Sequence, residues 1–376
     1  MKKNLLFLLI GVLIGAVITA SGFLIYENIN KKSNQFPDGE RMQMMGMPDG
    51  EEPPQRPDGE KMGQRGQNDG MPGDFQRQEN KTKGTSASDV DAGETVNSKE
   101  INLSEYDSNL TINEAGTYTL TGSFKYSVVV NAPGDVTLIL NGVNIESTLT
   151  AAIANGGTNA LTIKLADNTV NNLSDGGSSE YDGCIFSYGK LTIEGNGTLN
   201  VNGKQEDGEG IATKSCDLVI NSGTINISSQ DDGLNAGGSG GSITINGGTI
   251  YIKANGDGID SNGALTINGG SVYTIGSSEG GDAGIDTDEG FYFNGGEVIA
   301  LGSDMLEKPE ATSKQKSVCF ELQTKVSSGS KIEVKNASKE TIVSFEAKED
   351  FKTLIISNEK VTSETYYLYV NGEKVK

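Results

Sequence analysis

Histidine and tryptophan are both missing from the 376 residues, and the four arginines, Arg41, Arg56, Arg65 and Arg77, all fall in the first quarter of the chain. Acid–base catalysis would therefore rest on carboxylates or lysines, and no arginine can serve as a base beyond Arg77. Tyrosine is the one amphipathic ring left for stacking on a sugar face. Positive charge is scarce too: the formal net charge is −21. A protein that tracks phosphates needs a basic face, so nucleic acid is excluded as a partner, and cations, or partners reached through cations, are favoured. Cysteine occurs only at Cys184, Cys216 and Cys319, an odd number that leaves at least one unpaired within the chain. Cys184 and Cys216 fall at different points of the repeat described below, so they read as small core hydrophobes rather than a stacked disulfide. Proline is rare, 8 residues against 51 glycines, which suits a chain that turns often.

What the sequence does contain is a repeat. From Leu218 to Asp260 it holds two near-copies of one unit: a short alternating apolar run, an Asn-Gly or Asn-Ser turn, a second apolar run, and an acidic Gly-Ile/Leu step. Copies begin at Leu191, Leu218, Ile243, Leu265 and Phe291, spaced 27, 25, 22 and 26 residues apart. A unit of this length, built of short strands and tight turns, is one coil of a parallel β-solenoid. The apolar positions Leu191, Ile193, Leu199 and Val201 recur as Leu218, Ile220, Ile225 and Ile227, then as Ile243, Ile245, Ile250 and Ile252. Stacked about 4.8 Å apart, they would form the ladders of a core. A further ladder is expected at Ile211, Leu234, Ile259 and Ile285, and a turn ladder at Asn221, Asn246, Asn268 and Asn294, whose amides would bond to one another along the axis.

Residues 1–27 read as a membrane signal. Lys2 and Lys3 precede an apolar run from Leu5 to Tyr26, long enough to span a bilayer as a helix. An uncleaved anchor is favoured; cleavage after Ala20 would instead release a secreted protein. Residues 28–100, with PDGE at Pro37, Pro48 and Pro57 and few large aliphatics, read as a disordered linker. The coils occupy 101–310 and a β-rich cap 311–376, in an extracytoplasmic, cell-surface setting.

Chemistry is expected at the acidic step. Asp182, Asp207, Asp232, Asp257 and Asp282 recur every 25 residues, and Asn235, Asp260 and Asp286 follow the neighbouring ladder, with Asp231 close by. Between Asp175 and Glu310 there are 21 acidic residues against 5 lysines. Carboxylates stacked one coil apart raise each other's pKa values, and a hard cation between coils would remove that cost. Ca²⁺ accepts six to eight oxygen ligands in flexible geometry, so Asp207, Asp231, Asp232, Asn235, Asp257, Asp260, Asp282 and Asp286 are its expected ligands. Tyr251 and Tyr273 lie between inward positions of adjacent coils and are expected to face outward as a sugar-stacking pair.

The run from Ile112 to Gly302, with AGTYTLTG, VTLILNGVNI, LTIEGNGTLNVNG and ITINGGTIYIKANGDGID, and the closing segment from Lys331, resemble the bacterial carbohydrate-binding-domain family of pectate-lyase-like proteins. The resemblance implies an all-β fold: a right-handed single-stranded parallel β-helix with a small C-terminal β cap. It also implies Ca²⁺-dependent, non-catalytic binding of acidic pectin-like or cellulosic polysaccharide. Ala283 and Ala212 depart from the acidic pattern at the two ends of the row. Lyases share this architecture, but the lack of arginine after Arg77 excludes an arginine-based one, and Lys214 and Lys253 remain the alternative bases. A structural adhesion or assembly role is the third reading.

Overall fold

The computed structural model describes residues 94–95, 99–177, 181–206, 208–363 and 365–376. The expected membrane segment, residues 1–93 of the expected anchor and linker, and Asp207 lie outside the described residues. Among the described residues no helix is long and apolar enough to cross a membrane, and helix is confined to one 3-10 turn at Leu103–Glu105. The described residues belong to the compact unit Asn80–Lys376.

That unit is an all-β parallel solenoid. One face is a nine-stranded parallel sheet running from Glu94–Thr95 through Ile185–Ser187, Ile211–Lys214, Leu234–Gly237 and Ile259–Ser261 to Asp286–Thr287. The other two faces are joined into one 17-stranded sheet. In it the long strands Gly116–Phe124 and Val136–Glu146 turn from one face to the next. The solenoid forms because alternate residues of each strand are aliphatic, so one side of every strand is apolar and must be covered.

The expected ladders form in register. Leu191 pairs with Leu218, then Ile243, Leu265 and Phe291 follow in turn. Leu199 continues through Ile225, Ile250, Val272 and Val298. Ile211, Leu234 and Ile259 stack on the first face. All of these side chains are buried. At roughly 1.5–3 kcal/mol for each fully buried aliphatic side chain, these columns are the main source of stability.

Coil length varies in the turns while the strands keep register. Residues 238–242 join two strands in one coil where 262–264 do so in the next. The expected asparagine ladder is present at one such turn. Asn246 Nδ2 donates to Asn221 Oδ1, Asn268 to Asn246 and Asn294 to Asn268, each at 2.9 Å. The amides, exposed at Asn221, Asn246 and Asn268 and half-buried at Asn294, satisfy one another along the axis.

The parallel order ends at Glu297–Gly302, which pairs antiparallel with Phe351–Ser357. Ser317–Val326 extends this antiparallel edge, and a separate four-stranded antiparallel sheet is built on Lys331–Asn336, Thr341–Glu346 and Tyr366–Val370. Covering the last coil in this way protects a strand edge that would otherwise pair with other chains. Cys184, Cys216 and Cys319 are all free thiols, and burial pushes the Cys184 thiol up.

Candidate functional site

The nine-stranded face carries the acidic residues. In each of its strands one residue points into the core and the next points outward. The outward column is Phe186, Ala212, Asn235, Asp260 and Asp286, each paired with the next across adjacent coils. It changes from apolar to acidic along the axis, and successive members sit about 4.8 Å apart.

The turn leading into each strand supplies a second column. Asp257 N–H donates to Asp232 Oδ1 at 2.7 Å, and Ala283 N–H donates to Asp257 Oδ1. The stacked series is therefore Glu209, Asp232, Asp257 and Ala283, each two residues before its buried Ile or Leu. Asp182, Asp231 and Asp282 stand one position earlier. The uniform 25-residue series expected from the sequence is corrected here: the coils differ in length, so Asp282 does not stack on Asp257. An added Cβ at Gly256 would run into the carboxylates of Asp231 and Asp232 and force them to shift.

Three of the expected ligands converge. Asp257, Asp260 and Asp286 each offer a carboxylate oxygen within 4.8 Å of the other two, and all three side chains are half-buried. Asp232 lies one coil away and is tied to them by Asn235, whose Nδ2 donates to Asp232 Oδ2 at 2.8 Å and to Asp260 Oδ2 at 3.2 Å. The Asn235 amide thus serves as a donor between carboxylates, and its Oδ1 faces Gly237 instead. Asp231 and Asp282 flank the group and act on it by charge, and Asp207 lies outside the described residues.

The electrostatic strain of this arrangement is plain. Burial first, and then the charge of Asp231, pushes Asp232 up to about 7. Burial and the charges of Asp232, Asp286 and Asp282 push Asp257 up to about 7. Burial, Asp286 and Asp288 push Asp260 up to about 6. Among the described residues no salt bridge joins a lysine to Asp257, Asp260 or Asp286. Three oxygens at this separation suit a hard, oxygen-seeking cation such as Ca²⁺, which would be held by Asp257, Asp260 and Asp286.

Glu307 was not foreseen. It comes from the irregular segment after the last coil, and its Oε2 accepts from the Thr287 N–H at 3.1 Å and Oγ1 at 3.2 Å. Burial, followed by the Asp286 charge, raises its pKa. No repeat signal could have found it, because it lies outside the repeat.

Tyr251 and Tyr273 are corrected. They do leave the core side by side and stack, with ring centroids 5.6 Å apart and an interplanar angle of 11°. They are, however, on the third face, in an outward column that continues to Ile299, and there the cap covers them. Phe345 meets Tyr273 edge-on at 5.8 Å, and Lys253 beside them pairs with Glu349 of the cap at 2.6 Å. Sequence position could not reveal this, since the covering residues lie about 70 positions or more downstream. An exposed ring stands at the apolar end of the first-face column: Tyr188 packs edge-on against the buried Phe186, centroids 4.8 Å apart, with the half-buried Tyr181 beside both.

A family described as carbohydrate-binding domain-containing protein matches residues 106–367. A protein of Acetivibrio thermocellus with the same description is 30% identical over 163 residues, covering 39% of this chain and 56% of its own length. The chain thus spans just over half the length of that relative. A solved structure of a polysaccharide lyase-like protein from C. thermocellum, a gadolinium derivative, is similar with 27% identity, a TM-score of 0.42, and coverage of 54% of this chain and 88% of that one.

Proposed function

This chain belongs to the carbohydrate-binding domain-containing protein family, and from that premise we propose that it binds acidic polysaccharide through Ca²⁺ held on the nine-stranded face, without catalysis. The observation that carries the reading is the convergence of Asp257, Asp260 and Asp286 oxygens within 4.8 Å of one another on an outward, half-buried surface. The cation would neutralise the triad and offer its remaining coordination positions to glycan carboxylates such as those of polygalacturonate. The right-handed winding, the N-terminal anchor and the extracellular, cell-surface location belong to the same proposal. So does the division into anchor, linker, solenoid and cap.

Two features support binding rather than lyase chemistry. Lys253 is held by Glu349 on the third face. Lys214 lies in the strand two coils before that of Asp260, about 10 Å away along the axis. Lys253 is thus engaged away from the triad and the Lys214 backbone is set back from it, whereas a base must come within about 3 Å of the proton it takes.

The test is retention of the full chain on polygalacturonate with Ca²⁺ and with a chelator, alongside calorimetric Ca²⁺ titration of the wild type and Asp260→Ala. Retention that needs Ca²⁺, and that is lost together with Ca²⁺ binding in Asp260→Ala, is expected, with no ultraviolet absorbance from unsaturated products. Retention unchanged by chelator overturns the cation, and rising absorbance overturns the absence of catalysis.

A further inference from the structure

The chain holds ten Asn-Gly steps, and the fold treats them unequally. Such a step is prone to deamidation because glycine, without a Cβ, leaves its backbone nitrogen open to attack the preceding asparagine Cγ. The attack needs an N–H that is not already committed and a side-chain amide free to turn towards it. At Gly142, Gly156, Gly203, Gly256 and Gly263 the N–H already donates within the fold.

Three of the remaining steps are consecutive rungs of the asparagine row. Gly247, Gly269 and Gly295 follow Asn246, Asn268 and Asn294 in the turns, and among the described residues their N–H groups make no hydrogen bond. Their asparagines differ in one respect. Asn246 and Asn268 are held at both ends, since each donates to the rung before and accepts from the rung after. Asn294, the last rung, donates to Asn268 Oδ1 at 2.9 Å, but among the described residues nothing donates to its own Oδ1. Outside the row, Asn371 is held at both ends, by the Lys331 N–H and Ser330 Oγ, and Asn196 at one, through Asp167.

We infer that the asparagine row is a modification site that deamidates without an enzyme and in order, from Asn294 back to Asn268 and then to Asn246. The Gly295 nitrogen gives its proton to water and bonds to Asn294 Cγ, and the amide nitrogen takes up a proton and leaves as ammonia. Water then opens the resulting five-membered ring at either carbonyl, and a carboxylate stands where the amide was. An ionised carboxylate accepts hydrogen bonds and donates none. The bond into Asn268 Oδ1 is therefore lost, Asn268 becomes the rung held at one end, and the reaction passes to Gly269. Each round places a negative charge about 4.8 Å from the last, so a neutral tie between coils turns into a column of groups that repel one another.

The experiment is peptide mapping by mass spectrometry of the full chain during incubation at mildly alkaline pH, folded and in urea, for the wild type and Asn294→Asp, with circular dichroism to verify folding. In the folded wild type Asn294 should convert first, Asn268 and Asn246 should follow after a lag, and Asn196 should react on its own course in both proteins. In Asn294→Asp the lag at Asn268 should disappear and its rate should rise roughly two- to tenfold, the factor that corresponds to the net worth of one hydrogen bond. In urea, where the row is absent, the order should vanish. The inference is overturned by rungs that convert together in the folded wild type, by an Asn294 rate no higher than that of Asn255, whose glycine is committed, or by an Asn268 rate that Asn294→Asp leaves unchanged. The same order persisting in urea also overturns it, because local sequence would then set the order.

Discussion

Two outward columns run along the same solenoid and change character in opposite directions. On the nine-stranded face the column goes from Phe186 and Ala212 through Asn235 to Asp260 and Asp286, from apolar to acidic. On the third face it goes from Asn172, Asn200 and Asn226 to Tyr251, Tyr273 and Ile299, from amide to apolar. The backbone is the same in both; only the partner differs. The apolar end of the third face is covered by the cap, whereas the acidic end of the first is left half-buried with its charges uncompensated. One column is given over to stability; the other is the one we propose for a ligand.

The sharpest way to break this comparison is at its aromatic end. Tyr273→Ala removes a half-buried ring packed between Tyr251 and Phe345, and should cost about 2–4 kcal/mol by chemical denaturation, with Ca²⁺ affinity unchanged. A small stability loss accompanied by weaker polysaccharide binding would restore these rings as a sugar platform.

The acidic end should behave in the reverse sense. An aspartate titrates near 3.9 in an unfolded chain, and Asp232 and Asp257 titrate at about 7 in the folded one. Between those values the folded protein holds more protons, so in chelator its stability falls as pH rises from about 4 to about 7, by up to about 1.4 kcal/mol per pH unit for each group, and levels off above. Asp257→Asn keeps an acceptor for the Ala283 N–H and removes the charge, so it should flatten that slope. At pH 8, Ca²⁺ at about 100 times its Kd should return about 2.7 kcal/mol to the wild type and much less to the variant. Parallel melting curves for the two proteins across pH would contradict the assignment.

How much of this was legible depends on whether the information lies inside the repeat. The ladders through Leu191, Leu199 and Ile211 follow from period-2 apolar runs recurring at coil length, and they appear as expected. Asp257 and Asp260 follow from the DGID step, and Asp286 from its alignment with it. What failed was the assumption of a constant interval: coils of 22 to 27 residues hold register in their strands, so Asp282 aligns by its distance from Ile285 and not from Asp257. The Tyr251–Tyr273 pair was legible as a pair, but its cover comes from Phe345 and Glu349, to which no periodicity points. Glu307 is invisible for the same reason. Its place beside Asp286 gives it a measurable role: Glu307→Gln keeps an oxygen for Thr287 and removes a charge next to the triad, so Ca²⁺ affinity should drop by about 1 kcal/mol, roughly fivefold in Kd. An unchanged Kd would confine Glu307 to holding Thr287.

The smallest effect tests whether an outward column can serve neither purpose beyond holding the coils together. Asn221, Asn246 and Asn268 are exposed and Asn294 half-buried, and the four side chains are bonded in sequence along the axis, away from the triad. Asn246→Ala removes two side-chain hydrogen bonds from the middle of that row. Because each amide can return to water, the loss should be near the net value of such bonds, about 0.5–1.5 kcal/mol in all rather than per bond. Ca²⁺ and polysaccharide binding should not change. A loss well above that range would mean that stacked amides reinforce one another along the solenoid, as bonds in a polarised chain do; a change in polysaccharide retention would make the row a second binding surface, and the division between stabilising and ligand-facing columns would no longer hold.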